Sequence, residues 1–352
     1  YCAARVARIL HEMPDGGAAA RTVNGPLQSY RFRVATGPQY ANPRTYDVLV
    51  PDTWLKPDNI KLEEIEQDGF GISMVGQLKA TPERKVAEPN IPSTGFGVAL
   101  NASLRFSGDR ATLALQNLMV DGTAEVAGRE VPLDGHFTAP LYFLYSEGAG
   151  RPNKLLATLR PDAFKDTIKL FSIEPFDENK IPLVLVHGLL STAEGWLPFA
   201  NRLRADPVIR ERYQLVFFNY PTGTSIGRNA ADLRDALEQF RKDYDPGRNT
   251  ANMRKMVILG HSMGGILSNI QIRDSGDRVY RTLFTRDLDE VDVEEETEAY
   301  IRRAAFFESN PDIERAILIA SPLRGSDFAT NKIGQFGAWL IRMPFDIVDA
   351  AL

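Results

Sequence analysis

A serine flanked by glycines is the strongest chemical signal in this sequence. Ser262 lies at the centre of Gly260–Gly264, which reads Gly-His-Ser-Met-Gly and follows the apolar run Lys255–Leu259. This G-x-S-x-G spacing is typical of a nucleophile elbow, where a serine occupies a sharp turn between a strand and a helix. Such a turn is strained by roughly 1–3 kcal/mol. It would lift the Ser262 hydroxyl above a sheet edge, at a helix N-terminus that favours developing negative charge.

The two glycines around the serine have a steric reason. Side chains two residues before and two residues after the nucleophile would collide with the neighbouring strand and helix, so Gly260 and Gly264 carry none. The alternative for so short a match is an ordinary glycine-rich turn. The segments that precede and follow it must therefore decide between a turn and a nucleophile.

Three more segments that contain polar or turn-forming residues follow predicted apolar strands in the C-terminal half. His187-Gly188 follows Pro182–Val186, and Tyr220-Pro221 follows Gln214–Phe218. A third segment, Ser321–Ser326, follows a strand predicted at Ala316–Ala320. Amphipathic helices separate these strands, among them one that carries Ile226, Ala230, Leu233, Leu237 and Phe240 on one face. Strands alternating with helices predict an α/β fold with a doubly wound, mostly parallel sheet, whose ligands bind at the carboxyl ends of the strands.

The N-terminal half has the two-residue periodicity of β-strands. The predicted strands are Tyr30–Val34, Tyr46–Val50, Ile72–Leu78, Val98–Phe106, Ala111–Leu115 and His136–Tyr145. They indicate a mainly antiparallel β layer or small sandwich. A mixed, helix-like stretch at Lys154–Leu170 and a polar linker follow. We therefore predict a β-rich domain or extension over residues 1–175 and an α/β domain over residues 176–352.

Composition limits the protein's class and its partners. Of the 352 residues 43% are hydrophobic and 25% are charged, as in ordinary globular proteins, and the net charge of −5 predicts no nucleic-acid partner. The apolar runs are too short to span a bilayer. The one cysteine, Cys2, excludes an intrachain disulfide. A cysteine so near the start also suggests a bacterial lipoprotein in the cell envelope; a free thiol, with a cytoplasmic location open, is the alternative.

The C-terminal half, from about residue 180, resembles the α/β-hydrolase superfamily of bacterial lipase and esterase type. His187-Gly188 matches the family's oxyanion segment, and Ser262 lies in its nucleophile elbow. The Tyr-Pro segment at 220 and Ser321–Ser326 are similar to segments of lipase-like and GPI inositol-deacylase-like members. In those members the segment that corresponds to Ser321–Ser326 usually reads Thr-Pro-His-Arg-Gly-Ser. Here Ser321 replaces the threonine and Leu323 replaces the histidine.

The resemblance implies a role for each matched residue. Ser262 is expected to be the catalytic nucleophile that forms an acyl-enzyme. The backbone N–H groups of Leu189 and Met263 are expected to form the oxyanion hole, with Gly188 admitting the oxyanion to the backbone. These roles imply a serine hydrolase of carboxylic, including lipid, esters, with no metal or organic cofactor. Contact with a membrane surface and the oligomeric state stay open.

The catalytic acid and base are missing from the pattern. In this fold the order is serine, acid, histidine, and none of His11, His136, His187 and His261 follows Ser262. We therefore expect the acid and the histidine to lie beyond Leu352, in a hydrolase domain incomplete at its C-terminal end. One alternative is a catalytically inactive binding or scaffold protein; another assigns Asp327 as the acid.

An acidic insertion separates the elbow from the last predicted strand. It spans residues 275–311 and contains the acidic run Asp287–Glu298. A solvated surface is the simplest interpretation, because runs of charge are usually exposed. A lid that disfavours anionic substrates is the alternative.

Overall fold

The computed structural model describes residues 21–24, 29–55, 62–146, 168–291 and 293–324. Contacts between residues divide it into two compact units. Unit 1 contains the described residues up to 146 together with 173–175 and 197–212. Unit 2 contains 168–172, 176–196 and the described residues from 213 onward.

Unit 1 is built mainly from strands. They are β1 Arg21–Asn24, β2 Ser29–Val34, β3 Val48–Pro51, β4 Glu66–Gln67, β5 Ile72–Leu78, β6 Phe96–Ser107, β7 Arg110–Asn117, β8 Thr123–Val126, β9 Arg129–Pro132 and β10 Gly135–His136. Its helices are α1 Pro82–Ala87, α2 Ala139–Ser146, α3 Leu197–Ala205 and α4 Pro207–Arg212, with short 3-10 turns at Pro43–Thr45 and Asp52–Trp54.

Six of these strands form one sheet in the order β1-β2-β7-β6-β5-β3. Every neighbouring pair is antiparallel except β2 and β7, which run parallel. Met74, Phe96, Leu100, Leu113 and Leu115 are fully buried on one core of the unit. The predicted β layer is thus present, mostly antiparallel, in the first half of the chain.

The predicted strand at His136–Tyr145 is wrong. Its first residue ends β10, but α2 occupies Ala139–Ser146. A short, continuous apolar run does not distinguish a buried strand from a buried helix by its period. Pro140 fits the first turn of a helix, where its missing N–H has no partner to lose. The hairpin of β8 and β9 was not predicted from the sequence.

Unit 2 alternates strands with helices. Its strands are β11 Lys169–Ser172, β12 Ile181–Val186, β13 Tyr213–Asn219, β14 Met256–His261 and β15 Ile313–Ile319. Its helices are α5 Ile226–Tyr244, α6 Met263–Gln271, α7 Arg278–Leu283 and α8 Glu295–Ala305, with 3-10 turns at Ala193–Trp196, Met253–Lys255 and Leu288–Glu290.

The sheet of unit 2 has the order β11-β13-β12-β14-β15. The last four strands in this order are parallel to their neighbours, and β11 is antiparallel to β13. After β12 the chain adds β13 on one side, and it then adds β14 on the other side of β12. The strand order therefore reverses between β12 and β14, and the carboxyl ends at such a switch point form the usual ligand crevice of an open α/β sheet.

Residues 169–172 belong to the sheet of unit 2, so the end of the helix predicted at Lys154–Leu170 is wrong. Antiparallel pairing of Lys169–Ser172 with β13 gives this segment a strand partner, which the sequence alone does not show. Helices α3 and α4 cluster with unit 1. The domain boundary between residues 175 and 176 stays a prediction.

The acidic insertion folds into α7, a 3-10 turn and α8 around Tyr280, Phe284 and Ile301. It packs on α5, because Arg303 pairs with Asp232 at 3.0 Å and the Tyr300 and Ser225 hydroxyls are 2.7 Å apart. Most of its acidic side chains are exposed, as predicted for a solvated surface.

Some predictions fall outside the described residues. They are Cys2 with its lipoprotein alternative, His11, most of the Lys154–Leu170 stretch, and Asp327. Among the described helices, none has both the length and the apolar character that a bilayer span requires.

Candidate active site

Ser262 lies at the junction of a strand and a helix. It follows His261, the last residue of β14, and it is the N-cap of α6. Its backbone has φ 54° and ψ −121°, a conformation that side chains other than glycine rarely adopt. The Ser262 N–H donates to the Ile319 carbonyl at 2.9 Å, and Ser262 is partly exposed. The serine thus has the strained turn and the open surface that a nucleophile elbow requires.

The glycines on either side of the elbow have no room for side chains. A Cβ on Gly260 would lie 2.4 Å from the Gly264 carbonyl oxygen. One on Gly264 would lie 2.2 Å from the Val186 carbonyl oxygen. Both contacts involve backbone atoms, so neither is relieved by a rotamer change. This crowding is the steric condition that the sequence pattern suggested for the two positions.

The loop after β12 lies beside the serine. Val186 is the Cα partner of Gly260, so the two strands end side by side. A Cβ on Gly188 would lie 3.0 Å from the Ser262 Cβ and 3.0 Å from the His261 carbonyl oxygen. A side chain at position 188 would therefore require the neighbouring backbone to shift by a few tenths of an ångström, and glycine avoids this cost.

Two backbone N–H groups beside this junction are candidates for an oxyanion hole. In the described part of the chain, neither Leu189 nor Met263 donates its N–H to a carbonyl or side-chain oxygen. Met263 is the first residue of α6, where N–H groups lack helical acceptors and the helix dipole favours negative charge. The roles of Leu189 and Met263 stay predictions that this placement supports.

Backbone strain is concentrated at this edge of the sheet. Leu190, Ser262 and Ala320 have φ values of 57°, 54° and 48°. They follow β12, β14 and β15, three neighbouring strands, at the carboxyl end of each. Such strain is typical of functional sites, where the surrounding structure holds residues in conformations that cost free energy. The segment after β15 also contacts α6, since a Cβ on Gly265 would lie 1.7 Å from Ser321 Oγ.

Two aromatic residues of this edge were not singled out for a role in the sequence. The Trp196 ring meets the His261 ring edge-on, with 6.4 Å between centroids. The Tyr220 ring stacks on the His187 ring at 4.2 Å and 15°. The Tyr-Pro segment was a usable signal for Tyr220, because it follows a parallel strand. Trp196 lies in a short turn, where the sequence has no hydrophobic periodicity, so no sequence signal placed it near the elbow.

No catalytic base is bonded to the serine within the described residues. His187 is buried, and its Nδ1 lies 3.1 Å from the Gly188 carbonyl oxygen. His261 is exposed and packs edge-on to Trp196. None of the hydrogen bonds in the described ranges joins the Ser262 hydroxyl to a histidine or a carboxylate, and Asp327 lies outside those ranges.

A histidine and two carboxylates meet in unit 1. Ligand atoms of Glu64, Glu66 and His136 lie within 4.8 Å of one another. However, the Ala139 N–H donates to His136 Nδ1 at 3.2 Å, so in the neutral ring the proton is on Nε2. That Nε2 lies 2.9 Å from Glu64, whose carboxylate also accepts the Tyr142 hydroxyl. The arrangement fits a hydrogen-bonded network better than a metal site, because a metal would need the Nε2 lone pair.

Comparisons with known proteins connect the chain to lipases. No family model matches it. It is 27% identical over 127 residues to the human (lyso)-N-acylphosphatidylethanolamine lipase, covering 36% of each protein. It is also 27% identical over 116 residues to the mouse protein of the same name, covering 33% of each. The chain therefore spans about a third of the length of the curated relatives it matches.

Two solved structures give a looser likeness. The mature Bacillus licheniformis lipase BlEst2 aligns with a TM-score of 0.29 and 19% identity, covering 51% of this chain and 60% of that one. Esterase B from Lactobacillus rhamnosis, in a phosphonate-inhibited structure, aligns with a TM-score of 0.28 and 12% identity, covering 49% and 48%.

The sequence relatives support the coarse part of the predicted resemblance, a hydrolase of lipase or esterase type, and the mixed sheet of unit 2 is an α/β architecture. The doubly wound arrangement, the GPI inositol-deacylase likeness and a C-terminally incomplete domain stay predictions.

Proposed function

We propose that the protein is a serine hydrolase that cleaves carboxylic esters through an acyl-enzyme on Ser262. The observation that carries this proposal is the backbone of Ser262, held at φ 54° on the N-terminus of α6. Met263 follows Ser262 directly, and Gly188, which precedes Leu189, lies beside the serine. Neither the Leu189 nor the Met263 N–H has an acceptor in the described residues, so both support an oxyanion hole at this position. An ordinary turn at this position would be expected to carry glycine.

The reaction would proceed in two balanced steps. Ser262 Oγ attacks the ester carbonyl, and its proton passes to a base and then to the departing alcohol as the carbon–oxygen bond breaks. Water then attacks the acyl-enzyme, which releases the carboxylic acid and returns the proton to Ser262. In both steps the negative charge on the carbonyl oxygen would be met by the Leu189 and Met263 N–H groups. Each such donor is typically worth about 3–4 kcal/mol in the transition state.

We infer a lipid ester or a related acyl compound as the substrate class. The curated relatives that share sequence with the chain are lipases named for (lyso)-N-acylphosphatidylethanolamine. A lipid substrate would bring the enzyme to a membrane surface, which is consistent with the exposed Leu190 and Leu323 at the carboxyl ends of β12 and β15.

A chain-length series of p-nitrophenyl esters tests the proposal. It should be run on the protein with any residues that its gene encodes beyond these 352. Hydrolysis should depend on Ser262, so Ser262→Ala should lower kcat by at least about 10³-fold. Ser309→Ala, which alters an exposed serine of unit 2, serves as the matched control and should keep full activity. Equal activity of wild type and Ser262→Ala would refute the proposal.

The second candidate is a hydrolase-fold protein that binds its ligand without cleaving it. Its support is the placement of the two histidines nearest Ser262 in the described sequence: His187 Nδ1 lies 3.1 Å from the Gly188 carbonyl oxygen, and the His261 ring packs edge-on to Trp196. Such a protein would bind an acyl ester with the same affinity in wild type and in Ser262→Ala, and it would release no acid. Calorimetry with an ester, together with product analysis, distinguishes the two candidates.

A further inference from the structure

Tyr220 lies directly after β13 and is buried, with 3% of its surface exposed. It touches the loop after β12 in two ways. Its hydroxyl donates to the His187 carbonyl oxygen at 2.5 Å, and its ring stacks on the His187 imidazole at 4.2 Å. One side chain therefore holds both the backbone and the ring of His187.

His187 in turn holds the next peptide group. Its Nδ1 lies 3.1 Å from the Gly188 carbonyl oxygen. A carbonyl oxygen is only an acceptor, so Nδ1 must carry the proton and donate. The Ser191 N–H donates to the same oxygen at 3.3 Å. The direction of the Gly188 carbonyl is therefore set by the ring that Tyr220 packs against.

The direction of that carbonyl sets the direction of the Leu189 N–H. The two groups belong to one planar trans peptide, in which C=O and N–H point in opposite directions. We propose that Tyr220 is a positioning residue which, through His187, aims the Leu189 N–H at the carbonyl oxygen of the substrate. This inference rests on the proposed function, because it assigns Leu189 as an oxyanion donor.

The surroundings of Tyr220 suit a fixed donor. Burial raises the pKa of Tyr220 far above its ordinary value, so the hydroxyl stays protonated and able to donate. The ring also stacks on Phe218 at 5.2 Å, which leaves it little freedom to rotate away. A tyrosine held in this way keeps its hydrogen bond at every pH at which the protein works.

Tyr220→Phe is the direct test, because it removes only the hydroxyl and keeps the stacked ring. We expect kcat for ester hydrolysis to fall about 10-fold, less than the 10²–10³-fold lost when a donor is removed outright. KM should stay within about twofold, since the donor acts on the transition state rather than on the bound ester. The ratio of the two kcat values should not change with pH.

Tyr280→Phe is the matched control. Tyr280 is also buried, donates its hydroxyl to a backbone carbonyl, that of Arg286 at 2.9 Å, and stacks on a neighbouring ring, that of Phe284. It lies in the acidic insertion, where its ring contacts are with Phe284, Phe306 and Arg281. It should lose a comparable amount of stability and leave kcat unchanged, which separates positioning from general stabilisation.

Four results would overturn the inference. An unchanged kcat in Tyr220→Phe, or a fall equal to that of Tyr280→Phe, would show that the hydroxyl does not aim the donor. A rise in KM at constant kcat would make Tyr220 a substrate-binding residue. Hydrolysis that survives Ser262→Ala would refute the proposed function together with this inference, whereas the first three results leave the proposed function intact.

Discussion

The two units differ in the residue types that occupy left-handed backbone positions, those with a positive φ. In unit 1 such positions are mostly glycines: Gly37, Gly71, Gly95, Gly108 and Gly128, with Ala127 as the one other described residue there. In unit 2 the described left-handed positions are mostly not glycine: Leu190, Arg248, Ser262 and Ala320, beside Gly276. At the positions that are not glycine, a glycine would remove the steric cost of the left-handed backbone.

The location of the unit 2 residues explains the difference. Leu190, Ser262 and Ala320 follow neighbouring strands at one edge of one sheet, whereas Ala127 lies in the tight turn between β8 and β9. A residue other than glycine costs more free energy at a positive φ than glycine does. Its presence there indicates that its side chain, or the direction of its backbone, is needed. In unit 1 the left-handed residue other than glycine turns a hairpin, whereas three of the four in unit 2 lie together at the carboxyl ends of neighbouring strands, around the candidate site.

The largest effect is expected from Gly264→Ala. The new Cβ would lie 2.2 Å from the Val186 carbonyl oxygen, so β12 or α6 must shift. We expect a loss of about 2–3 kcal/mol in the free energy of unfolding and a loss of ester hydrolysis. Urea denaturation and an activity assay measure the two effects.

Gly128→Ala in unit 1 is the control for that substitution. Gly128 has φ 75°, and a Cβ there would have no atom within 4 Å. Its cost should be only that of the left-handed backbone, about 1 kcal/mol. Equal costs for Gly128→Ala and Gly264→Ala would contradict the close approach of Gly264 to the Val186 carbonyl oxygen.

A smaller and opposite effect is expected from Ser262→Gly. Glycine adopts φ 54° and ψ −121° without a Cβ clash, so strain should be released. Allowing for glycine's larger unfolded-state entropy, we expect a gain of about 1 kcal/mol with complete loss of hydrolysis. Thermal unfolding measures the gain. A variant less stable than wild type would show that the serine conformation is not strained.

The smallest effect is expected in unit 1, where the stability of the protein should depend on pH through Asp134. Burial raises the pKa of Asp134, although its carboxylate accepts the Ser73 N–H at 2.8 Å. A raised pKa in the folded state favours the protonated form. The contribution of Asp134 to stability is therefore fully present below its unfolded pKa and is lost as pH rises through its folded pKa. Compared with Asp134→Asn, wild type should be relatively more stable at acidic pH than at neutral pH in urea denaturation. A difference that grows in the other direction would contradict the assignment.

Much of the strand content could be predicted because it rests on periods that local sequence encodes. The strand Ile72–Leu78 has the predicted bounds, and the predicted Pro182–Val186 strand lies within β12. Residues 139–146 could not be assigned in the same way, because an unbroken apolar run fits a buried helix as well as a buried strand. The pairing of Lys169–Ser172 with β13 depends on contacts between distant parts of the chain, which no local pattern shows.

The features of the candidate site also divide into those that local sequence shows and those that depend on the folded structure. The crowding at Gly188, Gly260 and Gly264 could be predicted because a conformational or steric need for glycine is visible in the local sequence. The catalytic role of Ser262 stays a prediction. The positive φ of Leu190 and Ala320 could not be predicted, since neither residue type signals a left-handed backbone. The contacts of Tyr220 with His187 also needed the structure, because 33 residues separate them in the chain.

Reaction with a fluorophosphonate tests the nucleophilic serine most directly. The protein, with any residues that its gene encodes after Leu352, would be treated with the probe, digested and sequenced by mass spectrometry. We expect one major adduct, on the Ser262 hydroxyl, that is absent from Ser262→Ala and slower to form in Tyr220→Phe. A protein that hydrolyses esters while Ser262 stays unlabelled, or that is labelled on another residue instead, would contradict this expectation.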